Sequence, residues 1–233
     1  HENSSAASDV YKRQDLMSVE PITIILSKAG WIRAAKGHDI DPTAVNFKSG
    51  DSLLASVIGR SNQNVYLQDS TGRFYAVPSH TLPSARGQGE PASGKLNLPT
   101  GATLTGLIMG EDEKEVFVGT NAGYGFRTTI TDLHTKNKAG KSVVKISPYA
   151  QVVQPKLIHD DNSLIVAVSN EGRMLVFDIS NVPKLAKGKG NKIINIPSAR
   201  LKRGEEWVVD YAIVGQGTSP VSYTHLTLPT SSR

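Results

Sequence analysis

A unit of about fifty residues recurs four times along the sequence and limits the folds that the chain can adopt. Each unit contains two apolar runs of β-strand length, joined by a tight turn that ends in glycine. The turn glycines are spaced by 42, 51 and 49 residues, at Gly30, Gly72, Gly123 and Gly172. Because glycine readily adopts the positive φ that a tight hairpin turn requires, the pattern predicts four β-hairpins.

Two further features keep the same period. A short basic element ending in glycine follows each hairpin, at residues 35–37, 85–87, 138–140 and 186–188. Another apolar run then follows, at residues 53–58, 104–109, 152–158 and 207–214. The repeat is therefore strand, turn, strand, basic glycine loop, strand. We assign the last apolar run to a fifth unit that stops there.

The repeat predicts an all-β fold. No segment carries an apolar stripe of helical period and length, and short strands separated by glycine and proline turns are typical of all-β proteins. A unit of fifty residues cannot bury its own apolar face, so the units must pack around an axis or stack as a β-solenoid. We favour a propeller-like disc with four nearly complete blades and a truncated fifth blade.

Composition excludes several classes of function. The chain has no cysteine, which rules out disulfides, thiolate nucleophiles and cysteine-based zinc sites. No apolar run approaches the roughly 20 residues that a membrane-spanning helix needs, and the first residues lack the pattern of a secretory signal. With 26 Lys and Arg against 21 Asp and Glu, the net charge is +5. These observations predict a mildly basic cytoplasmic protein.

Both ends of the sequence differ from its centre. Residues 1–14 are polar and unpatterned, and residues 221–233 are rich in serine and threonine. Both contain strings that resemble translated sequencing-adapter DNA, and we interpret them as a non-native leader and tail. The expected domain is therefore a fragment of a longer protein, over residues 15–220.

The basic glycine loops predict a surface for nucleic acid. Glycine lets a phosphate backbone approach main-chain N–H groups closely, and neighbouring cations neutralise its charge. A disc would repeat these loops around its rim, which suits bent duplex DNA bound through charge and deformability. The alternative is that each loop is an ordinary solvated turn. The third loop, for example, holds Lys136, Lys138, Lys141 and Lys145.

Four longer motifs carry a resemblance to a known family. They are GWIRAAKGHDID at residues 30–41, DSTG at 69–72, LPSARGQGEP at 82–91 and KGKGNKIINIP at 187–197. From about residue 20 to residue 214, the chain resembles the C-terminal domains of the gyrase A and topoisomerase IV A subunits. It resembles the topoisomerase IV branch more closely, because the gyrase branch carries a basic box, Gln-basic-Arg-Gly-Gly-basic-Gly, which this sequence lacks.

The resemblance implies a β-pinwheel, a propeller-like disc whose neighbouring blades exchange strands, with five blades in an open arrangement. It implies a domain that binds duplex DNA on its outer surface and presents it for strand passage, decatenation and supercoil relaxation. By position, the implied DNA contacts are Arg33, Lys36, Arg86, Lys136, Lys138, Lys141, Lys184, Lys187, Lys189 and Lys192. Two alternatives remain open at this point: a gyrase A domain that wraps DNA, and a propeller-type protein-interaction module.

Catalytic chemistry is not expected in this chain. In the family, the tyrosine nucleophile lies in an N-terminal region outside this sequence, ATP binds the partner B subunit, and Mg²⁺ lies in the catalytic core. The resemblance thus implies no cofactor here. The implied partners are duplex DNA, the ATPase B subunit, and the catalytic core of the same A subunit, in the cytoplasm and near the nucleoid of a bacterium. Tyr66, Tyr75 and Tyr124 are predicted sheet or core residues, and His38, Asp39 and Asp41 a turn rather than a metal site.

Overall fold

The computed structural model describes residues 19–215, so the interpreted leader and tail lie outside the described residues. Two short helices, α1 (Ile130–Leu133) and α2 (Ser198–Lys202), accompany the strands, and no helix in residues 19–215 is long and apolar enough to cross a membrane. The strands are β1 (Pro21–Ser27), β2 (Trp31–Lys36), β3 (Leu53–Arg60), β4 (Asn64–Asp69), β5 (Arg73–Pro78), β6 (Glu90–Pro91), β7 (Leu104–Ile108), β8 (Glu115–Gly119), β9 (Tyr124–Thr129), β10 (Lys141–Ser142), β11 (Lys156–Ile158), β12 (Leu164–Ser169), β13 (Met174–Asp178), β14 (Asn191–Lys192) and β15 (Val208–Val214).

The four predicted hairpins are confirmed. They are β1–β2, β4–β5, β8–β9 and β12–β13, and all four are antiparallel. The turn glycines have φ values between 78° and 86°. Each hairpin also pairs with the strand that follows it in the repeat, so that β1, β4, β8 and β12 each lie between two antiparallel neighbours.

The blades form an all-β, propeller-like arrangement of four sheets, as the repeat predicts. Their strand orders are β3-β1-β2-β6, β7-β4-β5-β10, β11-β8-β9-β14 and β15-β12-β13. One assignment is corrected. The run at residues 207–214, which we expected to open a fifth unit, forms β15 and pairs with β12, with Ala167 opposite Tyr211. It therefore completes the fourth blade, because the last strand of each unit folds back onto its own hairpin.

Neighbouring blades exchange strands. The short strands β6, β10 and β14 each follow the hairpin of one blade but pair with the outer strand of the blade before it. Glu90 thus lies opposite Ile32, and Lys192 lies opposite Tyr124. This is the exchange that the resemblance implies. Within residues 19–215 the outer edge of β13 has no such strand, and its Met174 side chain is 67% exposed.

The inner strands surround the axis of the disc. Residues of β3, β11 and β15 and a residue of β7 line one polar cavity of about 650 Å³. Across it, the side-chain amide nitrogen Nε2 of Gln154 donates to the carbonyl of Leu54 at 3.2 Å. Because β3, β7, β11 and β15 end the sheets at the axis, the exchanged strands β6, β10 and β14 lie at the opposite, outer edge.

The hydrophobic core consists of three layers, one between each pair of adjacent blades. The first layer includes Ile24 and Leu67, the second includes Phe74 and Val118, and the third includes Phe117 among other buried residues. Strands of the middle blades contribute to the layers on both sides, so they are buried on both faces. This explains why β4 and β8 are buried at every position but the first rather than at alternate positions.

The turn glycines also receive the exchanged segment. The main-chain N–H of Ile193, which follows β14, donates to the carbonyl of Gly123 at 2.7 Å. This approach is so close that a Cβ at position 123 would lie 2.1 Å from the carbonyl oxygen of Ile194. At Gly172, a Cβ would meet nothing within 4 Å, since no segment docks there among the described residues.

We expect Gly123→Ala to destabilise the chain more than Gly172→Ala. Both glycines have a positive φ, at 86° and 78°, which costs an alanine about 1–2 kcal/mol. Gly123→Ala also forces the docked segment away, and its total loss should reach about 2–4 kcal/mol. Urea denaturation of the two variants measures the difference. Equal losses would show that docking of the exchanged segment contributes nothing to stability.

Candidate nucleic-acid interface

Strand exchange places three basic glycine loops on the rim of the disc. We call them loop A (residues 82–91), loop B (residues 134–146) and loop C (residues 183–192). Loop A runs beside β2, where Ala85 donates its N–H to the carbonyl of Ala34 at 2.9 Å. Loop C runs beside β9 in the same way, with Leu185 donating to Arg127 at 2.8 Å. Loop B contains β10, which pairs with β5.

Loops B and C touch each other and form a groove. The N–H of Lys145 donates to the carbonyl of Gly188 at 2.8 Å, and the N–H of Gly188 donates to Val143 at 2.9 Å. The space between the loops, which we call the rim groove, has a volume of about 530 Å³. Its lining residues are Thr71, Ser142, Val143, Val144, Lys145, Ile146, Lys187 and Gly188.

Five rim cations are exposed and uncommitted. Their charged groups form no ion pair or hydrogen bond within residues 19–215, so they are available to an external anion. They are Arg86, Lys136, Lys138, Lys145 and Lys187. Lys145 and Lys187 both line the rim groove. Unpaired lysines beside glycine are what neutralisation of a phosphate backbone requires.

Other rim cations are already engaged. Lys184 forms an ion pair with Glu115 at 2.9 Å, and Lys141 donates to the carbonyl of Asp132 at 2.5 Å. The Nζ atoms of Lys189 and Lys192 lie 3.8 and 5.8 Å from the ring centre of Tyr124. A ring contact leaves the ammonium charge uncompensated, whereas an ion pair neutralises it.

Glu115 pairs with both Lys184 and Arg127 and so offsets part of their charge. Burial acts to raise the pKa of Glu115, but the hydrogen bond from Lys184 and the charges of Arg127 and Lys184 outweigh burial and hold that pKa below its ordinary value. Glu115 is therefore ionised at neutral pH. Lys184 consequently offers less net charge to DNA than the uncommitted lysines of loops B and C.

Comparison with known proteins agrees with this architecture. The sequence model of a family described as "DNA gyrase C-terminal domain, beta-propeller" matches residues 114–158 and 163–213. The A subunit of DNA topoisomerase 4 from Escherichia coli K12 is 50% identical over 205 residues, which make up 88% of this chain and 27% of that protein. The solved structure of the E. coli ParC C-terminal domain is also 50% identical, with a TM-score of 0.76, and the match covers 84% of this chain and 80% of that chain. The chain belongs to the family of topoisomerase IV A-type C-terminal domains.

This topoisomerase IV A-type chain spans 27% of the length of its curated E. coli relative. A gyrase A C-terminal domain of known structure is 16% identical, with a TM-score of 0.60, and the match covers 82% of this chain and 64% of that one. At that identity, the likeness shows a shared fold alone. The topoisomerase IV relative is 50% identical. This agrees with the absence of the gyrase basic box from the sequence.

Arg33 and Lys36 lie outside the rim loops of this topoisomerase IV A-type domain. The element at residues 35–37, which we expected to be the first basic loop, is the end of β2. Arg33 is only 3% exposed, and its guanidinium donates to the carbonyls of Gly87 and Asn46. It holds loop A in place and cannot reach DNA, so it is left out of the contact set. Lys36 is exposed but paired with Glu20 at 3.0 Å.

The two faces of the disc differ in charge. One face, which we call the turn face, carries the four glycine turns. The opposite face carries the connections that lead from one blade to the next, and two of these three, at residues 109–114 and 159–163, are acidic. Their exposed carboxylates are Glu111, Asp112, Glu113, Asp160 and Asp161. Because like charges repel, these two connections disfavour the approach of a polyanion.

The expected turn near His38 is present, and no group of three or more His, Asp or Glu side chains in residues 19–215 is placed to hold a metal ion. The Asp41 carboxylate instead accepts hydrogen bonds from the N–H and hydroxyl of Thr43, the bonding of a tight turn. These bonds lower the pKa of Asp41.

Proposed function

We propose that this chain is the non-catalytic DNA-binding domain of a type II topoisomerase A subunit. It binds and bends duplex DNA around its rim and presents it to the catalytic core for strand passage, which supports decatenation and supercoil relaxation. The observation that supports the proposal is the set of exposed, unpaired cations on the rim. Strand exchange places these cations of loops A, B and C along one edge of the disc.

The geometry favours binding through the phosphate backbone. Loops A to C succeed one another around a curved rim, and a duplex that follows them must bend. Their glycines have no side chain, so a phosphate can approach the backbone closely at Gly87 beside Arg86 and at Gly188 beside Lys187. None of this requires contact with base edges, so charge and DNA deformability supply the affinity.

Strand cleavage is assigned to the rest of the parent protein. Tyr66, Tyr75 and Tyr211 are at most 2% exposed, and the hydroxyls of Tyr75 and Tyr211 donate to Asp69 and to the carbonyl of Thr120. Burial raises the pKa of Tyr211, which opposes its use as a phenolate nucleophile. In the proposed complex, ATP belongs to the B subunit, Mg²⁺ belongs to the catalytic core, and this domain needs neither. The complex acts on nucleoid DNA in the bacterial cytoplasm.

Salt titration of DNA binding tests the proposal. Each phosphate contact contributes about −0.9 to the slope of log affinity against log salt concentration. If all five uncommitted rim cations contact phosphates, the full chain should show a slope of about −4 to −5 with a duplex. Energy transfer between dyes on the two duplex ends should rise on binding, which reports bending. A slope near zero contradicts DNA binding, and unchanged energy transfer contradicts bending alone.

A further inference from the structure

Three structurally equivalent positions on the turn face have a left-handed backbone. Each lies two residues before a residue whose carbonyl accepts a hydrogen bond from the first residue of a glycine turn, as Ser52 does from Lys28 and Gln151 does from Asn121. The φ values at these positions are 80°, 77° and 66°, at Gly50, Gly101 and Tyr149. Tyr149 is the only one of the three with a side chain.

Packing does not explain the tyrosine. A Cβ placed on Gly50 or Gly101 would meet nothing within 4 Å, so these positions are open to solvent and only the backbone conformation favours glycine. Tyr149 adopts the same unfavourable conformation, yet its side chain is 62% exposed. The chain thus bears the strain of a non-glycine residue without burying an aromatic ring, and strain of this kind is concentrated at functional sites.

A cation accompanies the exposed ring. The Nζ atom of Lys202, at the end of α2, lies 5.4 Å from the ring centre of Tyr149. Lys202 forms no ion pair in the described part of the chain, so its charge is uncompensated. Together the two side chains present a flat ring, a hydroxyl and an ammonium group to solvent, which suits a sugar next to a phosphate.

The pair is within reach of DNA bound in the rim groove. Thr71 of a glycine turn and Lys145 both line that groove, and Tyr149 follows Lys145 by four residues, which span at most about 14 Å. With 3.4 Å per base step along each strand, this distance corresponds to about four base steps. Two of the three connections on the opposite face are acidic, so charge also favours the turn face for DNA.

We propose that Tyr149 and Lys202 form a second DNA contact site on the turn face, continuous with the rim groove. The Tyr149 hydroxyl and ring contact the sugar-phosphate backbone, and Lys202 neutralises one phosphate. This inference rests on the proposed DNA-binding function and adds a specific extension of the DNA path between the third and fourth blades.

The test compares Tyr149→Gly with Lys202→Ala in the full chain, using the same duplex and salt titration. Tyr149→Gly should weaken binding about three- to tenfold at every salt concentration without changing the slope, because a neutral contact releases no counterion. Its Tm should not fall, since glycine is the residue that this backbone favours. Lys202→Ala should make the slope shallower by about 0.9. Ile58→Ala, which removes another exposed apolar side chain, should leave affinity unchanged.

The outcomes separate this inference from the proposed function. Suppose that the parent chain binds DNA with a steep salt slope and that Tyr149→Gly binds as tightly as the parent. The proposed turn-face contact site is then wrong, while DNA binding on the rim still holds. A change of slope in Tyr149→Gly also overturns it, because the effect would then be ionic. If the parent chain does not bind DNA, both are overturned.

Discussion

Replacing Lys136, Lys138 and Lys187 together by alanine is expected to weaken duplex binding about 100- to 1,000-fold near 0.1 M salt. All three side chains are exposed and unpaired within the described residues, and all three lie on loops B and C. One phosphate contact contributes about −0.9 to the log–log slope, so at this salt concentration each contact is worth roughly eightfold in affinity. The slope itself should become shallower by about 2.7.

The position of the charge, and not only its amount, decides this prediction. Arg60→Ala with Lys114→Ala removes two cations from the face opposite the turn face, and we expect its slope to stay close to that of the parent chain. Lys184→Ala should reduce the slope by less than 0.9, because Glu115 already pairs with Lys184 at 2.9 Å. If the control variant Arg60→Ala with Lys114→Ala reduces the salt slope by as much per removed charge as the triple variant does, DNA does not bind specifically along the rim loops.

The fold class could be predicted because the repeat is local. The turn glycines and their flanking apolar runs lie within about fifteen residues of one another, and four copies at one period determine an all-β arrangement around an axis. The local repeat pattern could not show to which blade each strand belongs. Glu90 pairs with Ile32 across 58 residues, and spacing alone does not distinguish that partner from a strand in its own unit. The same ambiguity led us to assign residues 207–214 to a fifth unit, whereas they form β15 and pair with β12 of the fourth blade.

The sequence predicted that basic glycine loops form the candidate site, but not which of their cations remain unpaired. A basic residue beside glycine has the same composition whether it lies on a rim loop, as Arg86 does, or at the end of a strand, as Lys36 does. Partners distant in sequence, such as Glu115 for Lys184, determine which charges remain free. Tyr149 was missed, although aligning the repeats on Gly50 and Gly101 would have revealed a tyrosine in a glycine position.

The second large effect concerns the fourth blade, where a buried carboxylate depends on two arginines. Glu206 is 1% exposed, and its oxygens accept hydrogen bonds from Nε of Arg173 and Nη1 of Arg200, both at 2.8 Å. The arginines are 47% and 37% exposed and can regain water if Glu206 is removed. The carboxylate cannot, so the cost of breaking this cluster depends on which side is removed.

We therefore expect Arg173→Met with Arg200→Met to lower the free energy of unfolding by about 3–5 kcal/mol at pH 7, because the double variant leaves a buried charge unpaired. Glu206→Gln should cost only about 1–3 kcal/mol.

Urea denaturation of a third variant separates charge from packing. Adding Glu206→Met to the double variant removes the unpaired carboxylate while keeping a side chain of similar length, and it should recover most of the lost stability at pH 7. If the triple variant is as unstable as the double variant, the arginines stabilise the blade through their aliphatic packing. Recovery in the triple variant would show that the cluster requires complete pairing, and that the fourth blade can be stable with either three polar partners or none.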